Sequence, residues 1–224
     1  MNLGIYGTGG FGKEIYDVAC RENEKTKQWE SIFFIDDFKE NNTSFYLSKV
    51  FTLSNVLSNH SIENIEVVIA IGEPIVRIKI KEKLKQYNIK LGIVIDPSAV
   101  ISPTAILCDG VIVTSDCIIA SSAYVGENVA INVKSIIGHD IILSNDVVVS
   151  SMVNIGGACK IGAGTYLGMG CLIKEGLEIG EEVIIGMGSA VHHNIPNRMI
   201  ALGNPIHHKL SLSLFPILRI LCVG

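Results

Sequence analysis

The second half of the chain carries an aliphatic residue at every sixth position without a break. A six-residue period fits neither an α-helix nor a long strand, whose side chains return to one side after about 3.6 and 2 residues. It is typical of short strands joined by regularly spaced turns. The positions of this hexapeptide period are Ile95, Ile101, Leu107, Val113, Ile119, Val125, Ile131, Ile137, Leu143, Val149, Ile155, Ile161, Leu167, Ile173, Ile179, Ile185 and Val191.

The residues around each aliphatic position indicate a strand followed by a turn. The residue two places earlier is small or β-branched in most repeats, so both would share the inward side of a short strand. The residue after the aliphatic is often Gly, as at Gly138 and Gly156, and we expect the chain to bend there. Three such sides would close a triangular coil that stacks on the next coil at ~4.8 Å.

The residues before the repeat follow a different pattern, in which short apolar runs alternate with helical segments. Apolar runs at residues 2–6, 31–35 and 67–71 predict strands, and a helix is expected over about 75–86. This β-α alternation predicts a small parallel sheet. The predicted organisation is an α/β half-Rossmann domain over residues 1–94, a parallel β-helix over 95–193 and a short C-terminal cap over 194–224.

A glycine-rich turn separates the first predicted strand from the first helix. The residues Gly7, Gly9, Gly10 and Gly12 have the spacing of a dinucleotide-binding turn, which brings backbone N–H groups and a helix N-terminus up to an anion. The second strand ends at Asp36 and Asp37, where a carboxylate would meet a ribose or a base. Because no second nucleotide-binding half follows, the pattern favours a phosphate site for one nucleotide over an NAD-dependent dehydrogenase.

Composition and charge narrow the class of partner. The 224 residues carry a net charge of −4 and only 18% charged residues, which argues against nucleic acid or an anionic membrane as the main partner. Mean hydropathy is high at +0.43, yet no apolar run reaches the ~18 residues of a membrane span. The N-terminus lacks the pattern of a signal peptide, so we expect a cytoplasmic location. The apolar tail over residues 210–224 is predicted to cap the open end of the coil, with an interfacial membrane contact as the alternative.

His139 is the candidate for chemistry in the central repeats. It lies next to a predicted turn, with Asp140 beside it and Asn132 seven residues before. Acyl transfer to an amine or hydroxyl requires a base, and a neutral imidazole with an ordinary pKa near ~6.5 suits that task. Asp140 would hold the ring in one tautomer, and Asn132 would position the ring or the substrate. The alternative is a surface histidine without a catalytic role.

Glycines further along the repeat are candidates for contact with an acyl donor. Gly157 follows His139 by eighteen residues, hence by one coil, and its N–H would face a thioester carbonyl that a side chain would obstruct. The pairs Gly168-Met169 and Gly186-Met187 would present backbone groups to a pantetheine chain. His192-His193 lacks a third ligand in register, so we expect no metal site.

The tandem [LIV]-G-x-x-x-x units resemble the hexapeptide-repeat acyltransferases, and the glycine turn in front of them is similar to the bacterial sugar O- and N-acyltransferases of the NeuD/PglD type. This resemblance covers nearly the whole chain. It implies a left-handed parallel β-helix and a homotrimer with acetyl-CoA between neighbouring prisms. It further implies that the four glycines of the turn lie by a diphosphate, that Asp36 and Asp37 lie by a base, and that His139, Asp140, Asn132 and Gly157 form the catalytic pattern. One departure is Phe11, where several relatives carry a histidine that is associated with the nucleotide sugar.

These observations predict an acetyl-CoA-dependent acetyltransferase that acts on the amine of a nucleotide-linked sugar in bacterial surface-glycan biosynthesis. Direct transfer is expected, because no Ser or Cys stands beside His139 as an acyl carrier. Three alternatives stay open at this point: O-acetylation of sialic acid or another sugar hydroxyl, a non-catalytic trimer that binds a nucleotide sugar, and a scaffold.

Overall fold

The structure is a computed structural model that describes residues 1–206 and the backbone of a strand over His208–Ser211. Over these residues the chain forms a mixed α/β unit followed by a left-handed parallel β-helix, which confirms the predicted fold class. The predicted cap lies outside the described residues from position 207 onward, apart from that one backbone strand. No helix within residues 1–206 is both long and apolar enough to cross a bilayer.

The N-terminal unit is built on a six-stranded sheet in which strand β1 has a central place. The strand order is β3-β4-β2-β1-β5-β6, and all pairs are parallel except β3 with β4. Alternate strand residues belong to two separate apolar clusters, one packed with α1 and the other with α2 and α3. The elements are β1 Asn2–Tyr6, α1 Gly10–Thr26, β2 Ser31–Ile35, β3 Thr43–Phe45, β4 Ser48–Phe51, α2 Leu53–Asn59, β5 Ile65–Ile69, α3 Pro74–Gln86 and β6 Lys90–Leu91.

The second unit stacks two-residue strands into three parallel sheets. We call them face 1 (β7, β10, β13, β16, β19, β22), face 2 (β8, β11, β14, β17, β20, β23) and face 3 (β9, β12, β15, β18, β21). These strands are β7 Val94–Ile95, β8 Val100–Ile101, β9 Ile106–Leu107, β10 Ile112–Val113, β11 Ile118–Ile119, β12 Tyr124–Val125, β13 Ala130–Ile131, β14 Ile136–Ile137, β15 Ile142–Leu143, β16 Val148–Val149, β17 Asn154–Ile155, β18 Lys160–Ile161, β19 Tyr166–Leu167, β20 Leu172–Ile173, β21 Glu178–Ile179, β22 Ile184–Ile185 and β23 Ala190–Val191. Strands β24 Met199–Leu202 and β25 His208–Ser211 extend face 1.

The aliphatic residues of the hexapeptide period form the interior of this coil. From Ile95 to Ile173 each pairs with the residue eighteen positions later, as Ile137 does with Ile155, and the pairs build one continuous buried cluster. The small or β-branched residues two places earlier, such as Cys117 and Val153, lie in the same cluster. The period therefore becomes columns of apolar side chains, because each coil repeats the same three short strands in register.

From Ile95 to Ile185 the turns lie two and three residues after each interior aliphatic, so the prediction that the chain bends at the first following residue is wrong. From Gly110 to Gly188 the third residue after every interior aliphatic has a positive φ. Glycines directly after the interior aliphatic are there for a different reason. A Cβ on Gly138 would lie 2.7 Å from the backbone nitrogen of Gly157, so glycine here permits close approach of successive coils.

The N-terminal unit covers face 1 of the β-helix. The outward residues Val94, Ile112 and Ala130 of face 1 are fully buried in the cluster that contains α1. Outward apolar residues on the other faces are exposed, for example Ile136 on face 2 and Ile142 on face 3. Two sides of the prism are thus left open.

A buried polar network fastens α3 to the edge between face 3 and face 1. The Arg77 side chain is completely buried and donates to the backbone oxygens of Ile69, Ile71 and Asn128 and to Asn128 Oδ1. Burial lowers the pKa of Arg77 to about 10, and the nearby charge of Asp146 opposes the shift. Lys81 pairs with Asp146 at 2.7 Å. The two units are therefore joined by hydrogen bonds as well as by apolar contact.

Candidate active site

His139 lies in the turn between β14 and β15, on the edge where face 2 meets face 3. Its side chain is 68% exposed, and Nδ1 lies 2.7 Å from Asp140 Oδ2. Asp140 holds this position with a φ of 55°, a conformation that Asp tolerates better than most residues. A carboxylate only accepts, so the contact assigns the proton to Nδ1 and leaves the Nε2 lone pair free to take a proton.

Gly157 lies directly under the His139 ring, one coil further along the same edge. A Cβ at this position would lie 2.5 Å from Nε2 and 2.6 Å from Cε1 of the imidazole. Within residues 1–206 the Gly157 amide donates no hydrogen bond, whereas the corresponding amides of Glu127 and Glu181 each donate to an Asn side chain at 2.9 Å. The base is thus placed beside a free backbone donor.

The other predicted residues of the β-helix lie on a different edge, where face 1 meets face 2. Asn132 follows β13, and the pairs Gly168-Met169 and Gly186-Met187 follow β19 and β22. Within one chain this edge is separated from His139 by the width of face 2. The Asn132 Oδ1 atom is buried and has no hydrogen-bond partner in the described part of the chain. The predicted donor-binding residues therefore share an edge with Asn132 and not with His139.

The glycine turn of the N-terminal unit borders a cavity of about 630 Å³ at the carboxyl ends of β1, β2 and β5. Gly7, Gly9 and Gly10 line it, and a Cβ on Gly9 or Gly10 would meet no atom within 4 Å. Gly12 does not line the cavity, because it is buried where a Cβ would overlap the carbonyl oxygen of Gly7. The prediction that all four glycines lie by the ligand therefore needs correction: Gly12 serves close packing of α1 on the turn.

Both predicted carboxylates line this cavity, and both accept hydrogen bonds from the protein. Asp37 accepts from the Tyr6 hydroxyl, from Lys83 Nζ at 2.6 Å and from the Leu53 amide at 2.8 Å. Burial alone would raise the pKa of Asp37, but these donors outweigh it and lower the pKa. Asp36 accepts from the Thr8 hydroxyl.

The Asp37 carboxylate acts in turn on the Tyr6 hydroxyl. Burial and the bond to Asp37 raise the pKa of the Tyr6 hydroxyl above its usual range, so it stays a donor at neutral pH.

Sequence reasoning missed the residues that α3 and the loop after β2 bring to the cavity. Lys79 and Lys83 are four residues apart on α3 and both line the cavity, as does Phe38 beyond Asp37. The four-residue spacing of the lysines would have placed them on one side of a helix. Nothing local indicates that this side faces the glycine turn. Among residues 1–206, no three His, Cys, Asp or Glu side chains cluster as a metal site requires.

Comparison with known proteins supports the resemblance that the sequence suggests. Residues 2–84 match the family model described as the PglD N-terminal domain. WeeI from Acinetobacter baumannii is 26% identical, with a TM-score of 0.86 over 94% of this chain and 100% of that chain. The acetyltransferase domain of PglB from Neisseria gonorrhoeae, solved with and without acetyl coenzyme A, is 26% identical, with a TM-score of 0.85 over 92% of this chain and 98% of that one.

A further solved structure shows the fold at lower identity. A mutant of perosamine N-acetyltransferase from Caulobacter crescentus, in complex with CoA and GDP-perosamine, is 24% identical, with a TM-score of 0.83 over 92% of this chain and 96% of that chain. A search of curated protein sequences finds no match. The predicted relation to the NeuD/PglD type is confirmed by the matched N-terminal family and by these solved structures.

Proposed function

We propose that this chain, whose residues 2–84 belong to the PglD N-terminal domain family, is an acetyl-CoA-dependent sugar acetyltransferase with His139 as its general base. The observation that carries the proposal is the His139 imidazole, which is held by Asp140 and lies over the free amide of Gly157 on an edge of the β-helix. The similarity to an acetyltransferase domain that was solved with acetyl coenzyme A supports the donor.

The reaction follows from the position of the ring. His139 Nε2 would remove a proton from the acceptor amine as its nitrogen attacks the thioester carbonyl, while Asp140 stabilises the imidazolium that forms. The Gly157 N–H would donate to the oxygen that gains negative charge in the tetrahedral intermediate. Collapse of that intermediate releases the CoA thiolate, which takes a proton from the imidazolium. The products are an N-acetyl sugar and CoA.

The placement of the predicted residues on two edges favours a homotrimer. All of the predicted site residues in the β-helix border face 2. This face carries exposed apolar side chains such as Ile118 and Ile136. If three copies pack face 2 around a threefold axis, the His139 edge of one copy meets the Asn132 edge of the next. The groove between them would then hold acetyl-CoA against the Gly168-Met169 and Gly186-Met187 pairs. A hydrogen-bond donor across this groove would also satisfy Asn132 Oδ1, which otherwise stays buried without a partner at a cost of about 1–3 kcal/mol.

The acceptor we propose is the amine of a nucleotide-linked sugar. The cavity at the glycine turn joins backbone N–H groups, a helix N-terminus without a side-chain cap and two lysines, which suits a diphosphate. A free monosaccharide would leave most of the 630 Å³ unfilled. Such a reaction belongs to the cytoplasmic assembly of a bacterial surface glycan.

A thiol-release assay tests the activity. Acetyl-CoA is offered with amino sugars, their nucleotide conjugates and sialic acid, and we expect release only with nucleotide-linked amino sugars. Replacing His139 with Ala should lower turnover by ~10²-fold or more while CoA still binds. Unchanged turnover in that variant would remove the catalytic assignment and favour a binding protein, and release with sialic acid alone would favour O-acetylation.

Two matched substitutions test the assembly. Ile136 and Ile142 are 38% and 42% exposed on faces 2 and 3, respectively. Light scattering coupled to gel filtration should show that I136E dissociates a trimer and loses activity, whereas I142E does neither. The reverse result would place the threefold contact on face 3.

A further inference from the structure

Phe38 stands at the mouth of the cavity with its side chain 99% exposed. It is the most exposed large apolar residue within residues 1–206, ahead of Met187 at 74% and Leu47 at 72%. An aromatic ring buries about 150–250 Å² when it is covered, so full exposure leaves a large favourable term unused. A ring at this place is available to contact a ligand in the cavity.

The backbone under this ring is fixed although the ring itself is free. The Phe38 N–H donates to Asp36 Oδ1 at 2.9 Å, and the Asp36 N–H donates to the Phe51 carbonyl at 3.0 Å. Asp36 is held in turn by the Thr8 hydroxyl of the glycine turn. The position of Phe38 relative to the cavity is therefore set before any ligand binds, which lowers the entropic cost of using it.

The two ends of the cavity differ in chemistry. At one end Gly9 and Gly10 leave open space at the start of α1, where backbone N–H groups attract an anion. Lys79 lines the cavity and forms no ion pair in the described part of the chain, whereas Lys83 is paired with Asp37. At the other end Asp36 and Phe38 follow β2, where the ribose and base of a nucleotide lie in folds of this kind.

We propose that Phe38 stacks on the base of the bound nucleotide and is the main source of affinity for that base. The inference rests on the proposed function only in taking a nucleoside diphosphate as the ligand. Stacking accepts any base, because every base has a π-face. The contribution of the ring should therefore be similar for nucleoside diphosphates with different bases, and any selection among them would come from polar contacts.

Calorimetry on the full chain tests this with UDP, GDP and inorganic pyrophosphate as probes. Phe38→Ala should weaken UDP and GDP binding by roughly 5- to 150-fold and leave pyrophosphate unchanged, because pyrophosphate has no base. Phe38→Trp, which keeps a stacking plane, should restore binding. Leu47→Ala is the matched control, since Leu47 is exposed but does not line the cavity, and should bind like the unmodified chain.

Three results would overturn the proposal. If the Phe38→Ala variant binds UDP and GDP as tightly as the unmodified chain does, the ring makes no contact with the base. If it loses as much affinity for pyrophosphate as for the nucleotides, the ring only supports the loop. If the unmodified chain binds neither nucleotide, the proposal that the cavity binds a nucleoside diphosphate fails together with the proposal for Phe38. Acetyl transfer by His139 is scored separately by thiol release, so it would survive any of these outcomes.

Discussion

Replacing Gly157 with Ala tests the geometry of the active site without removing any group that takes part in the reaction. The new Cβ would lie 2.5 Å from His139 Nε2, 2.6 Å from Cε1 and 2.9 Å from Cδ2. Carbon and nitrogen atoms that are not bonded approach to about 3.5 Å, so the ring must move by roughly 1 Å. Side chains occupy this turn position in the coils on either side, at His139 and Glu175, so the backbone should accept Ala. We therefore expect the His139 ring to move and the backbone of the coil to keep its position.

The expected result is a loss of activity at unchanged stability. A displacement of about 1 Å costs ~10²-fold in rate, so kcat/KM should fall by about that factor. The melting temperature should stay the same, because the exposed His139 ring can move without disturbing the core. The affinity for CoA should stay the same, because CoA lacks the acetyl carbonyl that the Gly157 N–H is proposed to contact. The assays are thiol release, thermal unfolding and CoA calorimetry.

A double-mutant cycle with His139→Ala decides whether Gly157 acts through the ring. In that background the Ala substitution at position 157 should have no further effect on the rate. A further loss of tenfold or more would refute the reasoning, because it would mean that the added methyl group obstructs the thioester itself and does not act by displacing the His139 ring.

Three further predictions concern single side chains. Asp140→Asn keeps a residue that tolerates the positive φ but removes the charge, so kcat/KM should fall by ~10²-fold at an unchanged melting temperature; an unaltered rate would contradict the role of Asp140. Burial raises the pKa of Glu22 from 4.5 to about 7, so between these values the folded state binds more protons than the unfolded state and stability falls as pH rises. Urea unfolding at pH 5 and pH 8 should show this loss of unfolding free energy in the unmodified chain and not in Glu22→Gln. An equal change in both chains would exclude Glu22 as its source. Arg77→Met leaves buried carbonyl oxygens at Ile71 and Asn128 without donors and should cost ~3 kcal/mol or more in chemical unfolding, whereas a loss below 1 kcal/mol would show that the network is dispensable.

The β-helix part of the site was predictable where it depends on the number of residues between two positions. An eighteen-residue offset puts Gly157 beside His139, because each coil repeats the last one in register. The same count separates Asn132 from His139 by one strand, which places them on different edges of one chain. The turn position was missed, because glycine after the aliphatic residue reflects close stacking of coils as well as chain reversal.

The cavity of the N-terminal unit was predictable only in part. The glycine spacing indicated the turn and Asp36 and Asp37 indicated the end of β2, since both signals are local. The partners of those carboxylates are remote: Lys83 reaches Asp37 from 46 residues away, and the Tyr6 hydroxyl reaches it from 31. No periodicity links such positions.

The sequence alone determined the interior of this protein and the neighbours of each residue along the β-helix, because a repeat of short strands transmits local spacing directly into stacked columns. Only the tertiary structure decided that the N-terminal unit covers face 1, that α3 supplies two lysines to the glycine-turn cavity and that Phe38 stands at its mouth. Those relations depend on the order of strands in one sheet and on how two units dock. Such contacts join residues far apart in the chain, and their free energy arises only when the surfaces meet.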